Sequence, residues 1–82
     1  MYVSSMQKLL YSREHRLLIK RLVQARKKAG LSQTQAAQRL GTSQPNISMV
    51  ESGQRRIGVV ELLKFAKVYE CTLTELLGSL LR

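Results

Sequence analysis

Along residues 33–53, QTQAAQRLGTSQPNISMVESG, apolar positions recur at helical spacing on both sides of a single internal glycine. Ala37, Leu40, Ile47 and Val50 fall three or seven apart, so each of two short helices carries one apolar stripe and the stripes can face each other. Ala37 is small where the two backbones must approach. The punctuation agrees with this pattern. Ser32, just after Leu31, is an N-cap whose hydroxyl can accept a free backbone N–H, and Gly41 stops the first helix. Ser43 caps the second, Gln44 and Pro45 open it where a missing proline N–H is harmless, and Gly53 supplies a left-handed exit. Before this pair, Ser12 or a neighbour caps a helix running to Ala29, with Leu18, Leu22 and Ala25 on one face, basic residues mostly opposite and Gly30 at the left-handed end. After it, Val59, Leu62, Phe65, Ala66 and Tyr69 form the stripe of a fourth helix with Gly58 as a weak cap. Thr72 and Glu75 make a capping box for a fifth, from Leu73 to about Leu81. Every predicted element is helical, which makes the chain all-α.

Two helices folded over a turn of about three residues have the spacing of a helix–turn–helix. Its second helix leaves Gln44, Pro45, Asn46, Ser48 and Met49 outside the core, nearly uncharged residues that can hydrogen-bond or touch a base edge. A merely solvated helix usually carries Lys and Glu there. An ordinary helical hairpin with a polar surface shares the pattern, and composition separates the two. The 82 residues hold 14 Lys and Arg against 5 Glu and no Asp, a formal charge of +9 that suits a polyanionic partner. All of that excess lies in residues 1–56, with eleven basic and two acidic residues; residues 57–82 balance Lys64, Lys67 and Arg82 against Glu61, Glu70 and Glu75. The run Arg13, Arg16, Lys20, Arg21, Arg26, Lys27, Lys28 is compatible with simple solvation or with anionic lipid, but lipid binding needs bulky apolar anchors opposite the charges, and the single Phe lies elsewhere.

The length fits one domain, residues 12–82, preceded by an extension over residues 1–11 that is frayed or partner-binding. No stretch approaches the ~20 apolar residues of a membrane span, and the N-terminus lacks a leader's apolar region, so no membrane partner and a cytoplasmic location are expected. Cys71 cannot form an internal disulfide and reads as a small packing residue; His15, set among charges, reads as solvated. With no Asp, one His, one Cys and five scattered Glu, no catalytic constellation, metal-ligand cluster or phosphate loop stands out, so no enzyme activity and no cofactor are expected.

The segments RKKAGLSQ at 26–33, AAQRLGTSQPNIS at 36–48, VESG at 50–53, LLKFAK at 62–67 and TLTELL at 72–77 together resemble the Cro/repressor-type (xenobiotic-response-element) helix–turn–helix domain, from about Leu17 to Leu77. The resemblance implies a compact five-helix repressor-like domain that binds a pseudo-palindromic operator in double-stranded DNA as a homodimer, its third helix in the major groove. By position it implies base contacts from Gln44, Pro45, Asn46, Ser48 and Met49. It also implies phosphate contacts from Gln33, Ser43, Arg55 and Arg56. Related domains tie the positions of Arg26 and Glu51 together, and Glu51 is the only acid between residues 15 and 60, so a structural ion pair is expected there.

Three positions depart from the pattern: Ala36 where a larger aliphatic is common, Ile57 where proline is frequent, and Glu70 where glycine usually ends the fourth helix. Glu70 is therefore expected in a left-handed conformation. For dimerisation, Leu77, Leu80 and Leu81 repeat at helical spacing in the charge-neutral half, where repulsion between two basic protomers is least, with Met6, Leu9 and Leu10 as the rival surface. The function these readings support is sequence-specific transcriptional regulation, most simply repression. The alternative is an antitoxin-type regulator that also binds a toxin protein, for which only the N-terminal segment and the end of the fifth helix are available.

Overall fold

In the computed structural model, residues 12–78 are described, and five helices fill them: α1 (Arg13–Lys28), α2 (Gln33–Leu40), α3 (Gln44–Glu51), α4 (Val59–Val68) and α5 (Leu73–Leu77). No strand occurs among the described residues, so the fold is all-α as expected. None of these helices is long and apolar enough to cross a membrane. The α2–α3 pair is the most extensively packed. Helix α1 lies against α3 and α5, and α4 closes the assembly over α2 and α5. The core where they meet is built from Ile19, Leu22, Leu31, Ala36, Ala37, Ile47, Val50, Leu62, Phe65, Ala66, Tyr69 and Leu76.

The N-termini follow the caps expected. Ser12, Ser32, Ser43 and Thr72 each turn a side-chain oxygen onto a backbone N–H three residues on, at 3.0 to 3.3 Å. The capping boxes differ from expectation. The Thr72 hydroxyl accepts from the Glu75 N–H, but the reciprocal carboxylate bond is not made. A complete box instead opens α2, where Gln35 Oε1 accepts from the Ser32 N–H at 2.9 Å. Gly58 caps α4 without a side chain to help.

Four helices end the same way. After α1, α2, α3 and α4, one backbone N–H reaches back five residues to a helix carbonyl: Leu31 to Arg26, Thr42 to Ala37, Gln54 to Met49 and Cys71 to Ala66, at 2.9 to 3.2 Å. This closure needs a residue with positive φ, supplied by Gly30, Gly41 and Gly53 at +70° to +79° and, after α4, by Glu70 at +54°. Glu70 is thus where the sequence placed it, the one side chain in a left-handed position among the described residues. Arg21 adds a tie of another kind, donating from Nη1 to the Leu76 carbonyl at 3.1 Å, a cation at the end of α5.

Several positions sit differently from the periodicity's forecast. The buried edge of α1 is His15, Ile19, Leu22 and Arg26, and Leu18 and Ala25 pack only at its margin. His15 is therefore buried rather than solvated, and its Nε2 has no hydrogen-bond partner among the described residues. Val59, expected in the stripe of α4, is 76% exposed because the first turn of that helix extends past the core. Ala36, where a larger aliphatic is common, is fully buried, so the small side chain fits a close approach in the core. Ile57 and Cys71 both pack on the core as partly buried side chains. Tyr69 lies with its ring 5.6 Å from that of Phe65, and burial, aided by the charge of Glu51, pushes its phenol up to about 12 and keeps it neutral.

Glu70 gives the first test. A β-carbon in the left-handed region costs roughly 1 kcal/mol, offset in part by the greater freedom of glycine in the unfolded chain. Glu70→Gly is expected to raise stability by about 0.5 kcal/mol in chemical denaturation; a lowered midpoint contradicts the strain.

Candidate nucleic-acid interface

The exposed edge of the helix pair is formed by the start of α3 and the loops on either side of it. Ile47 and Val50 are completely buried, which fixes the rotation of α3 about its axis. That rotation turns Gln44, Pro45 and Met49 outward, Met49 with 45% of its surface exposed, and sets Asn46 and Ser48 half-buried at the margins. Ser43 is exposed at the helix start, where its backbone and the first-turn N–H groups present partial positive charge. Arg55 and Arg56 are exposed in the loop that leaves α3.

Behind this edge lies the ion pair that the sequence anticipates. Arg26 Nε donates to Glu51 Oε2 at 2.6 Å and Nη2 donates to Glu51 Oε1 at 3.0 Å, a two-pronged geometry that a lysine cannot reproduce. The third nitrogen, Nη1, donates to the Leu31 carbonyl at 2.7 Å. Arg26 thereby holds α1, the entry to α2 and the end of α3 at one point. The two side chains are only 11% and 9% exposed. The hydrogen bonds that Arg26 donates to the Glu51 carboxylate hold its guanidinium above its ordinary value against the opposing effect of burial.

Glu51 also reaches outward. Its Oε1 accepts from Gln33 Nε2 at 2.9 Å, and Gln33 Oε1 in turn accepts from Gln44 Nε2 at 2.8 Å. A continuous line of hydrogen bonds thus runs from a nearly buried charge pair to an exposed side chain at the head of α3. A second cluster forms on the other side of that helix. Asn46 Nδ2 donates to Thr42 Oγ1 at 3.0 Å, and Asn46 Oδ1 accepts from Arg55 Nη1. Arg55 Nη2 lies 3.9 Å from Glu61 Oε1, an exposed pairing of little energetic weight.

Of the residues singled out from sequence, the structure joins Arg26, Glu51, Gln33 and Gln44 in one network, and Asn46 with Arg55 in another. Ser48, Pro45, Met49 and Arg56 stand on the same loop-and-helix surface and make no side-chain hydrogen bond or ion pair among the described residues. Leu77 is distant from this surface in the chain and partly buried against the core, and Leu80 and Leu81 lie outside the described residues, as do Met6, Leu9 and Leu10. Sequence reasoning missed Thr42, Glu61 and the Leu31 carbonyl. Thr42 alone carried a signal, standing one turn before Asn46.

The family model described as helix-turn-helix matches residues 22–76, from the middle of α1 into α5. The chain belongs to the Cro/C1-type helix–turn–helix family. It is accordingly a DNA-binding transcription regulator, in a regulatory domain family that is not typically enzymatic. Comparison with curated proteins gives no significant match. Both the Arg26–Glu51 pair and the two clusters on α3 fall inside the matched span of this Cro/C1-type domain.

The depth of the ion pair sets a large penalty for breaking it. Glu51→Gln leaves the Arg26 cation nearly buried without a carboxylate and is expected to cost on the order of 3 kcal/mol, whereas an exposed pair is worth under about 1. Thermal and chemical denaturation measure it, and an unchanged midpoint contradicts the clamp.

Proposed function

We propose that the protein is a transcriptional repressor that binds a pseudo-palindromic operator as a homodimer in the cytoplasm, inserting the start of α3 into the major groove. The observation that carries this reading is the outward, uncharged head of α3 set beside exposed arginines on a domain whose net charge is concentrated in its first 56 residues. In this reading Gln44 and Asn46 present amides to adenine, Pro45 and Met49 pack on thymine methyls, and Ser48 hydrogen-bonds a base or phosphate. Gln33, Ser43, Arg55 and Arg56 hold backbone phosphates and set the register. Asn46 and Arg55 are bonded to each other in the free protein, so engagement exchanges that bond for one to a base and one to a phosphate.

A single domain of this size spans few base pairs, so two copies about one helical turn apart supply the specificity. Residues 57–82 carry no net charge, and two copies meeting there avoid the repulsion of their basic halves. Leu77, Leu80 and Leu81 supply apolar contacts in that half. The exposed Val59 and Val60, four and three residues before the exposed Leu63 on α4, add to them with it. Repression then follows from occupancy of the operator.

Selection of bound duplexes from a random library tests the reading. The recovered site is expected to be two-fold symmetric, with half-sites about one turn apart; a lone asymmetric half-site contradicts the dimer. On that operator Gln44→Ala and Asn46→Ala are each expected to lose on the order of 1–3 kcal/mol and to relax base preference. Arg55→Ala weakens all DNA about equally and reduces the salt dependence. Equal loss on every sequence from Gln44→Ala contradicts its assignment as a reader.

A further inference from the structure

The hydrogen bonds that run from the core to the head of α3 have a direction, and the direction is set at their buried end. An ionised carboxylate has only acceptors, whereas a glutamine amide has one acceptor end and one donor end. Glu51 Oε1, already receiving Arg26 Nη2, can face Gln33 only through the Gln33 NH2 group, at 2.9 Å. Gln33 must then turn its carbonyl oxygen outward. Against that oxygen Gln44 can place only its own NH2 group, at 2.8 Å. Each amide orientation is dictated by the chemistry of its inner neighbour, independently of how oxygen and nitrogen are distinguished. Gln44 is left with its carbonyl oxygen and one N–H unused. That acceptor and donor complement the N6 amino group and N7 of adenine in the major groove.

We propose that Glu51 is a positioning residue for base recognition: acting through Gln33, its carboxylate holds the Gln44 amide in one orientation and commits it to the donor–acceptor edge of adenine. The proposal rests on the reading that Gln44 contacts a base. Arg26 holds Glu51 in place with two hydrogen bonds, so the same charge pair that joins the helices also sets the polarity of the reading side chain. A glutamine at position 51 can offer either end of its amide to Gln33. The direction is then lost, and Gln44 is free to present its donor and acceptor either way round.

The experiment compares the wild type with Gln44→Ala, Glu51→Gln and Gln33→Met in competition binding to duplexes carrying all four base pairs at each position of the selected half-site. The position at which Gln44→Ala abolishes preference marks the base pair read by Gln44. There the wild type is expected to favour A·T by about tenfold or more. Glu51→Gln and Gln33→Met are each expected to reduce that preference to about twofold while leaving preferences at the other positions intact, and their effects are not additive. Gln33→Met leaves the Arg26–Glu51 pair untouched and so reports on the amide polarity even if Glu51→Gln does not fold. Retention of the full preference in Gln33→Met, whatever uniform loss of affinity its missing phosphate contact brings, overturns the proposal while the assignment of Gln44 stands. If Gln44→Ala changes no preference anywhere, that assignment falls and the proposal with it.

Discussion

The nearly buried pair of Arg26 and Glu51 is the constraint on which the rest of the domain depends. Two charges withdrawn from water cost several kcal/mol each unless their hydrogen-bonding capacity is met. Here the guanidinium finds two carboxylate oxygens and the Leu31 carbonyl, at 2.6 to 3.0 Å. Those partners come from the end of α3 and the entry to α2, while the arginine comes from α1, so satisfying one side chain requires three segments to be in register. A hydrophobic contact at the same place would tolerate sliding. The forked geometry does not, and α3 is thereby held at a fixed angle and rotation relative to α1.

The termini show how so short a chain keeps its helices defined. Serine or threonine opens α1, α2, α3 and α5, and a reversal through a positive-φ residue closes α1 to α4. Caps of this kind satisfy the backbone groups that helices of eight or ten residues leave in large proportion at their ends. The turn between α2 and α3 uses both devices within three residues, Gly41 to end one helix and Ser43 to begin the next. Little freedom remains in the angle between them. The head of α3 is consequently presented on a rigid support, which favours reading by a few short polar side chains.

How much of this was legible in the sequence depended on the kind of signal. The bounds and inward face of the α2–turn–α3 unit were legible because caps, glycine and stripe spacing all coincide there, and Ile47 and Val50 are buried as their spacing requires. Glu70 was legible because the chain reversal after α4 needs a left-handed residue whatever the side chain. The inward face of α1 was read rotated by less than one residue's step, with Leu22 common to both faces. With Leu17, Leu18, Ile19, Leu22, Val23 and Ala25 all apolar, several stripes fit, and only the partner of Arg26 selects the one that is buried. His15 was misjudged because charged neighbours in sequence do not show what covers a side chain, and Val59 because periodicity gives a side chain's direction but not whether a neighbouring element covers it. The bonds from Glu51 through Gln33 to Gln44 span eighteen and then eleven positions, so no local pattern announces them. The family resemblance supplied the two ends of the network without the direction of its links.

The central claim is that a DNA surface made by the head of α3 and its flanking loops is carried by a support that does not itself touch DNA. Backbone amide chemical shifts of the labelled protein, followed by nuclear magnetic resonance as a selected operator duplex is added, address it most directly. The account predicts that the largest changes fall on Gln33, Ser43 to Met49, Arg55 and Arg56, with Ala66, Tyr69 and Leu76 in the core behind them nearly unmoved. Large changes centred on the exposed basic residues of α1, with the head of α3 unaffected, would contradict it.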